Sequence, residues 1–381
     1  MTRRIAIALT TRGNYAKMKS TMRAIQARPD LELVLMVGGG ILQDRFGDFR
    51  PVIAGEGFRI DAELDFLTGG GETLAAMTES AAAATKSLAQ ALQSRSVDIL
   101  VVIADRYEAL AMALAATCMN VPIAHLEGGE ISGSIDERMR HAISKLAHVH
   151  FPATPGAADI LRRMGEPDDR IFVVGTPSLD VIAALDLDDA SALRAVPGVS
   201  GVDLDSDFLV VSQHPVVTEY AEAEAQIRET AAAVAELGLP VIWIRPNMDA
   251  GGDGVRRALA DVERGARRLP IRFYPSLPIE QYSVLLKRAR CLIGNSSSGL
   301  REGEFLGVPV VNIGTRQQGR ERGANVIDVK PDRTEILRAI REQLAHGPYS
   351  TAYVYGNGHA GEKIAEVLAR VPLDLDKRLA Y

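Results

Sequence analysis

The sequence predicts an α/β fold of two doubly wound halves, and three observations carry that prediction. Short β-branched runs alternate with Ala-rich and Leu-rich stretches at helical spacing, which is the pattern of parallel βαβ units. The alternation runs through two series, separated by the acidic, structure-poor stretch Leu185–Asp207 (LDLDDASALRAVPGVSGVDLDSD). The length of 381 residues suits two domains at roughly 100–200 residues each.

The first series opens with the strand Ile5–Leu9 and the helix Tyr15–Ala27. Leu31–Gly38 is the second strand, ended by Gly38-Gly39-Gly40. Leu74–Ser94 reads as an Ala-dominated helix before the buried strand Ile99–Ile103. Glu108–Met119 is helical, Pro122–His125 a strand and Ile135–Ala147 a helix. The strands Val149–Ala153 and Ile171–Val174 close this half. The second series has Phe208–Ser212 as a strand and Ala221–Leu237 as a helix. Val241–Ile244, Ile271–Tyr274, Cys291–Gly294 and Val308–Ile313 are further strands with helices between. The domains are therefore placed at 1–185 and 208–365, with 366–381 as a C-terminal segment. Two such domains bind ligand at the carboxyl ends of their strands, in the crevice between them.

Composition narrows the function classes. An apolar fraction of 47% with 24% charged residues belongs to a globular chain rather than a disordered one. A net charge of −6 gives no basic field for nucleic acid or anionic membrane. The two cysteines, Cys118 and Cys291, lie in apolar runs and form no CxxC. A disulfide framework and a zinc site are thus disfavoured, and a reducing, cytoplasmic compartment is expected. No apolar run approaches the ~20 residues of a membrane span, and Ile5–Leu9 is too short for a secretory core.

Five clusters could carry chemistry, and all follow strands. Asp105, Arg106 and Glu108 come after Ile99–Ile103, where an acidic residue points into the crevice or caps the next helix. After His125 comes Glu127-Gly128-Gly129-Glu130, then Ser132-Gly133-Ser134, Asp136, Glu137, Arg140, His141 and Lys145. Three carboxylates this close, Glu127, Glu130 and Asp136, would repel one another and raise at least one pKa, which suits acid–base work. The third cluster, Gln213-His214-Pro215, presents an imidazole on a fixed turn. The fourth, Gly294-Asn295-Ser296-Ser297-Ser298-Gly299, sits ahead of a helix containing Glu302. Backbone N–H groups and hydroxyls there suit phosphate. It is neither a Walker A loop nor GxGxxG, so a nicotinamide dinucleotide is disfavoured. In the fifth, Thr315–Arg322, Arg316, Arg320 and Arg322 could balance a diphosphate, as Arg12 and Lys17 could from the first half. His141, His148 and His150 lack partners at metal spacing and read as core or helix-surface groups. Neither a metal nor a cofactor is expected, so turnover should need no NAD and survive a chelator.

At these residues the chain resembles the hydrolysing UDP-N-acetylglucosamine 2-epimerases. That family includes bacterial sialic-acid and legionaminic-acid pathway enzymes and the epimerase half of the animal bifunctional epimerase/kinase. The resemblance runs from about Arg12 to about Lys363. It is carried by Asp105-Arg106-Tyr107-Glu108, HLEGGEISGSIDERMRHAISKLAH (His125–His148), Gln213-His214-Pro215, RPNMDAGG (Arg245–Gly252), GNSSSGLRE (Gly294–Glu302) and NIGTRQQGRERGANVI (Asn312–Ile327). It implies two Rossmann-like domains of GT-B type, with a C-terminal helix returning to the first. It also implies catalysis by Asp105, Glu127 and Asp136, and Glu302 on the ribose. Glu127 matches as a carboxylate under the animal-type pattern, whereas many bacterial members carry His in this neighbourhood, which leaves acid and base roles open. A homodimer or homotetramer is implied as well.

The chemistry makes sense of the clusters. The C2 hydrogen of a hexosamine becomes acidic once the diphosphate on C1 departs, so the reaction needs support for the leaving group and carboxylates at C2. Arg12, His214 and Ser296–Ser298 offer the first, with Lys17, Arg106, Glu130, Arg245, Asn247, Gly299, Arg316 and Arg320 as further binding candidates. Asp105, Glu127 and Asp136 offer the second. The expected products are UDP and a free N-acetylmannosamine-type sugar, formed through a 2-acetamidoglucal. Rival readings are the same chemistry on UDP-N,N′-diacetylbacillosamine or a GDP-sugar, a non-hydrolysing epimerase, a GT-B glycosyltransferase, and a nucleotide-sugar sensor. Leu277–Gln281 and Asn247–Gly251 are the expected determinants of base and sugar choice.

Overall fold

The computed structural model describes all residues except 1, 44–48, 69–72, 134, 195–203, 220, 247–251, 266–270, 275–276, 379 and 381. The chain forms two compact units. The first takes the residues up to Ile131, Ile135–Val181 and everything from Tyr355 on; the second takes Ile182–Val354 together with Ser132 and Gly133. The C-terminal part of the first unit thus begins at Tyr355, earlier than the residue 366 expected.

The first unit contains β1 (Arg3–Leu9), α1 (Arg12–Gln26), β2 (Leu31–Gly38), α2 (Arg50–Gly55), β3 (Ala62–Leu64), α3 (Leu74–Gln93), β4 (Ile99–Ile103) and α4 (Tyr107–Cys118). It continues with β5 (Ile123–Leu126), α5 (Asp136–Leu146), β6 (Val149–Phe151), α6 (Pro155–Arg163) and α7 (Ser178–Ala183), the last running into the unit boundary. Its parallel sheet runs β3-β2-β1-β4-β5-β6. Alternation along β1 sends Ile5, Ile7 and Leu9 to one core and Ala6 and Ala8 to the other, so both faces are covered. Thr11 caps α1 by accepting the Asn14 N–H at 3.1 Å, which starts this helix three residues before the expected Tyr15. Ile171–Val174 is not a strand. Only Ile171 makes an isolated bridge, to His150, while Val173 is exposed.

The second unit begins with α8 (Ser191–Arg194), followed by β7 (Leu209–Ser212), α9 (Ala223–Leu237), β8 (Val241–Ile244), α10 (Gly252–Gly265), β9 (Ile271–Tyr274) and α11 (Ile279–Arg288). Then come β10 (Cys291–Gly294), α12 (Glu302–Leu306), β11 (Val310–Ile313), β12 (Val326–Val329) and α13 (Arg333–His346). This sheet runs β12-β11-β10-β7-β8-β9, again all parallel. Its core joins Leu209, Trp243 and Ile293 to Ile227 and Ile340 on the helices. The expected linker is partly structured: Ala190, Leu193 and Leu204 are buried, and Arg194 pairs with Asp205 at 2.9 Å. Residues 195–203 of that stretch lie outside the described part.

The last helix, α14 (Ala360–Arg370), belongs to the first unit. Its Ile364, Ala365 and Leu368 join the core that α1 covers. Among the described residues no helix is long and apolar enough to cross a membrane.

Candidate functional site

In the first unit the carboxylates emerge where the backbone is strained. Ala104 follows β4 with φ 66° and Glu127 follows β5 with φ 61°. Outside glycine this left-handed conformation costs about 1–3 kcal/mol and persists only where the surroundings enforce it. The enforcing contacts are visible. The Ala104 N–H donates to the Leu126 carbonyl at 3.1 Å, and the Glu127 N–H to that of Phe151 at 3.0 Å, so each strand is paired one residue past its end. The Ala104 carbonyl takes His125 Nε2 at 2.9 Å. A carbonyl only accepts, so Nε2 carries the proton and Nδ1 accepts from Ser144 Oγ at 3.0 Å. Burial pushes the His125 imidazole down to about 3, which keeps it neutral. Gly128 must be glycine, since a Cβ there would lie 2.8 Å from His125 Nδ1.

Each of two carboxylates is held by a cation. Asp105 accepts from Arg140 Nη2, and Arg140 Nη1 donates to the Glu130 carbonyl at 2.7 Å. Arg140 is buried and so ties the two strand-end loops together. Glu127 Oε2 takes Lys17 Nζ at 2.8 Å and Oε1 takes the Thr176 hydroxyl at 2.8 Å, with the Glu127 side chain only 3% exposed. Lys17, expected to face a diphosphate, is therefore engaged with a carboxylate. Helix capping does not explain the acids. The N-cap of α4 is Arg106 and that of α5 is Ile135, neither making a side-chain cap bond, and Asp136 is the first residue of α5. Arg106 lies against Glu108 at 3.1 Å. Glu130 is buried. Arg12 heads α1, its guanidinium 5.3 Å from the centre of the Phe49 ring and lowered in pKa by burial.

In the second unit the strand ends carry amides, hydroxyls and an imidazole. Gly294 closes β10 with φ 132°, and a Cβ there would meet the Ser212 carbonyl oxygen at 2.2 Å. That close approach lets Asn295 N–H and Ser296 N–H both reach the Ser212 carbonyl, at 3.1 and 3.2 Å. Asn295 then pins the backbone of His214 from both sides: Oδ1 accepts the His214 N–H at 2.7 Å, and Nδ2 donates to its carbonyl at 2.9 Å. The Asn295 carbonyl in turn accepts Arg316 Nη1 at 3.2 Å and Gln317 Nε2 at 2.8 Å. The third, fourth and fifth clusters of the sequence are thus one assembly centred on Asn295.

The serine loop differs from the expected helix N-terminus. Ser297–Gly299 is a single 3-10 turn, capped by Ser296, whose Oγ accepts Ser298 N–H at 3.3 Å. Tyr282 Oη lies 2.8 Å from Ser298 Oγ. Glu302 is the first residue of a five-residue helix, and it is buried. The dipole of so short a helix is weak, which leaves local N–H groups and hydroxyls as the groups this loop offers to an anion. Gly299 packs on β11, where a Cβ would meet Val310 Cγ1 at 2.8 Å. Of the three arginines proposed for a diphosphate, Arg322 is bound to Asp328 and to the Gln317 carbonyl, at 2.6 Å for the latter. Arg320 contacts Gln317 Oε1 at 3.1 Å. Arg245 pairs with Glu263 at 2.8 Å and stacks 5.1 Å from the Phe273 ring centre, while Asn247 lies outside the described residues.

Arg140 and Asn295 lie inside the clusters the sequence offers but carry no assigned role there, and Thr176 lies outside all five. The signals were present: Arg140 lies one turn beyond Asp136 on α5, Thr176 sits in a Gly-Thr-Pro turn, and Asn295 opens the serine loop. A separate buried group was also missed. Glu166 accepts from Lys145 and Lys377, both at 2.7 Å, and from His150 at 2.9 Å. Burial alone would raise its carboxyl, yet these donors hold it down at about 2. His150 therefore has the core role expected of it.

Comparison with known proteins gives consistent results. The family model for UDP-N-acetylglucosamine 2-epimerase matches residues 23–369. A UDP-N,N′-diacetylbacillosamine 2-epimerase (hydrolyzing) from Legionella pneumophila is 32% identical, with all of both chains covered. A UDP-N-acetylglucosamine 2-epimerase from Neisseria meningitidis is 30% identical over 96% of this chain and 95% of its own. The crystal structure of a Neisseria meningitidis UDP-GlcNAc 2-epimerase bound to UDP-GlcNAc superposes with a TM-score of 0.81 at 16% identity, covering 96% of this chain and 99% of that one.

Proposed function

The chain belongs to the UDP-N-acetylglucosamine 2-epimerase family, and from that premise we propose that it is a hydrolysing 2-epimerase of UDP-linked 2-acetamido sugars. One observation carries this reading: the first unit holds Asp105 and Glu127 at neighbouring strand ends, each on its own cation, with Asp136 at the head of α5. A carboxylate removes the C2 proton as the C1–O bond to the diphosphate breaks. The C–H electron pair becomes the C1=C2 bond of a 2-acetamidoglucal, and UDP leaves with the C1–O pair. Water then adds across that bond, its oxygen to C1 and a proton to C2 on the opposite face. Taking and returning a proton on two faces needs two groups, which is why more than one carboxylate is required. His214, fixed by Asn295, and the Ser296–Ser298 loop support the departing diphosphate.

The Legionella pneumophila relative favours a second substrate, UDP-N,N′-diacetylbacillosamine, for the same chemistry. Both sugars are incubated with the protein in deuterated water, with no acceptor present. The expected products are UDP and a free sugar inverted at C2 that carries deuterium there. The ratio of kcat/KM chooses between the substrates. A UDP-linked epimer without release of UDP overturns the hydrolysing reading, and a product that retains its C2 hydrogen overturns elimination.

A further inference from the structure

We propose that Thr176 is a positioning residue for Glu127, and that the C-terminal return of the chain holds Thr176 in register. The inference rests on the reading that Glu127 moves the C2 proton. The two oxygens of Glu127 are held differently: Oε2 meets the charge of Lys17, and Oε1 meets the neutral hydroxyl of Thr176, both at 2.8 Å. A hydroxyl donating to a carboxylate favours its charged form and fixes its rotamer. Thr176 is 1% exposed and has little freedom of its own. Its N–H donates to the Tyr355 carbonyl at 2.8 Å.

The crossing at that point is tight. Gly175 and Gly356 have φ of 91° and 109°, and a Cβ on Gly356 would lie 2.8 Å from Gly175 Cα. Beyond it, Asp180 takes the first N–H groups of α14, those of Ala360 at 2.9 Å and Gly361 at 2.6 Å. A Cβ on Gly361 would stand 2.7 Å from the Ser20 carbonyl carbon, so α14 sits backbone to backbone on α1, the helix that carries Lys17. The segment from Tyr355 into α14 therefore touches Thr176 directly and, through Ser20, the helix that carries Lys17.

The test follows Glu127 itself. Its side-chain carboxyl 13C signal, assigned by its loss in Glu127→Gln, is titrated in the wild type, Thr176→Val and Thr176→Ser. Losing the donor raises the midpoint in Thr176→Val by about one pH unit, and Thr176→Ser returns it. Thr176→Ala, which cannot clash, serves in place of the valine if that variant does not fold. Gly356→Ala, which displaces the crossing, moves the midpoint the same way by less; an unchanged midpoint there overturns the role given to the C-terminal return. In turnover, Thr176→Val lowers kcat roughly tenfold or more with KM little changed, and the limb of the pH profile set by Glu127 shifts upward. Titration and profile superimposing on the wild type overturn the positioning role. If the wild type releases no UDP from any substrate, the functional reading fails, and the titration still decides Thr176.

Discussion

The two sheets are wound alike and ended differently. In chain order both run 3-2-1-4-5-6 from one edge to the other. In both, the strand just past the switch point and its outer neighbour lead into a residue of positive φ: Ala104 and Glu127 in the first unit, Gly294 and Gly314 in the second. The second unit uses glycine, for which the conformation is free of steric cost. The first uses side chains and bears the strain. Glu127 shows why, since glycine there would remove the carboxylate. Gly294 shows the converse, because its Cα runs too close to the Ser212 carbonyl for any side chain. A positive φ at the strand end thus goes with a carboxyl group in one unit and a close-packed donor assembly in the other.

Gly294→Ala strikes this comparison hardest. Its Cβ would meet backbone oxygen at 2.2 Å, at a φ that L-residues avoid. The Asn295–His214 assembly cannot form around it, and we expect a loss above about 4 kcal/mol, read by denaturant unfolding. A variant unfolding within 1 kcal/mol or so of the wild type would show that the strand end is not the tight point described.

The next effect belongs to the first unit alone. Asp105→Asn, Glu127→Gln and Asp136→Asn keep size and most hydrogen bonds, so the fold should survive. Steady-state turnover should fall by roughly 100-fold or more, about 2.7 kcal/mol in the barrier, with KM changed far less. Loss of substrate affinity with kcat preserved would move the chemistry away from these carboxylates.

The comparison also marks what the sequence could show. Alternation of short apolar runs and helices made both parallel sheets legible, and every cluster was placed after its strand. The short edge strands β3 and β12 were not named, because three or four residues with partial exposure carry no clear period. The partners were harder. Arg140 reaches Asp105 across 35 residues, Thr176 reaches Glu127 across 49, and Asn295 reaches His214 across 81. No local spacing encodes such pairs; they appear only when strand order brings the ends together. The strain at Ala104 was equally hidden, since an alanine after a strand looks like any other.

Ala104→Gly gives the smallest effect and isolates that strain. Three contributions oppose one another. Relieving a left-handed alanine stabilises by roughly 1–2 kcal/mol. Added freedom of the unfolded chain takes back about 0.4–1 kcal/mol. The methyl packs against the first unit's core, and losing it costs up to ~0.8 kcal/mol. The net change in stability should therefore lie between a loss of about 1 and a gain of about 1.5 kcal/mol. The peptide is still held by His125 on its carbonyl and by Leu126 on its N–H, so Asp105 keeps its place beside Arg140 and turnover should stay within about threefold of the wild type. Denaturant unfolding and steady-state kinetics on the one variant decide the point. A gain in stability beyond that range with turnover intact would mean the strain at Ala104 is larger than its methyl and chain freedom can offset. A hundredfold loss of turnover at unchanged stability would mean that the alanine, not the hydrogen bonds around it, sets the position of Asp105, and the parallel with glycine at the end of β10 would fail.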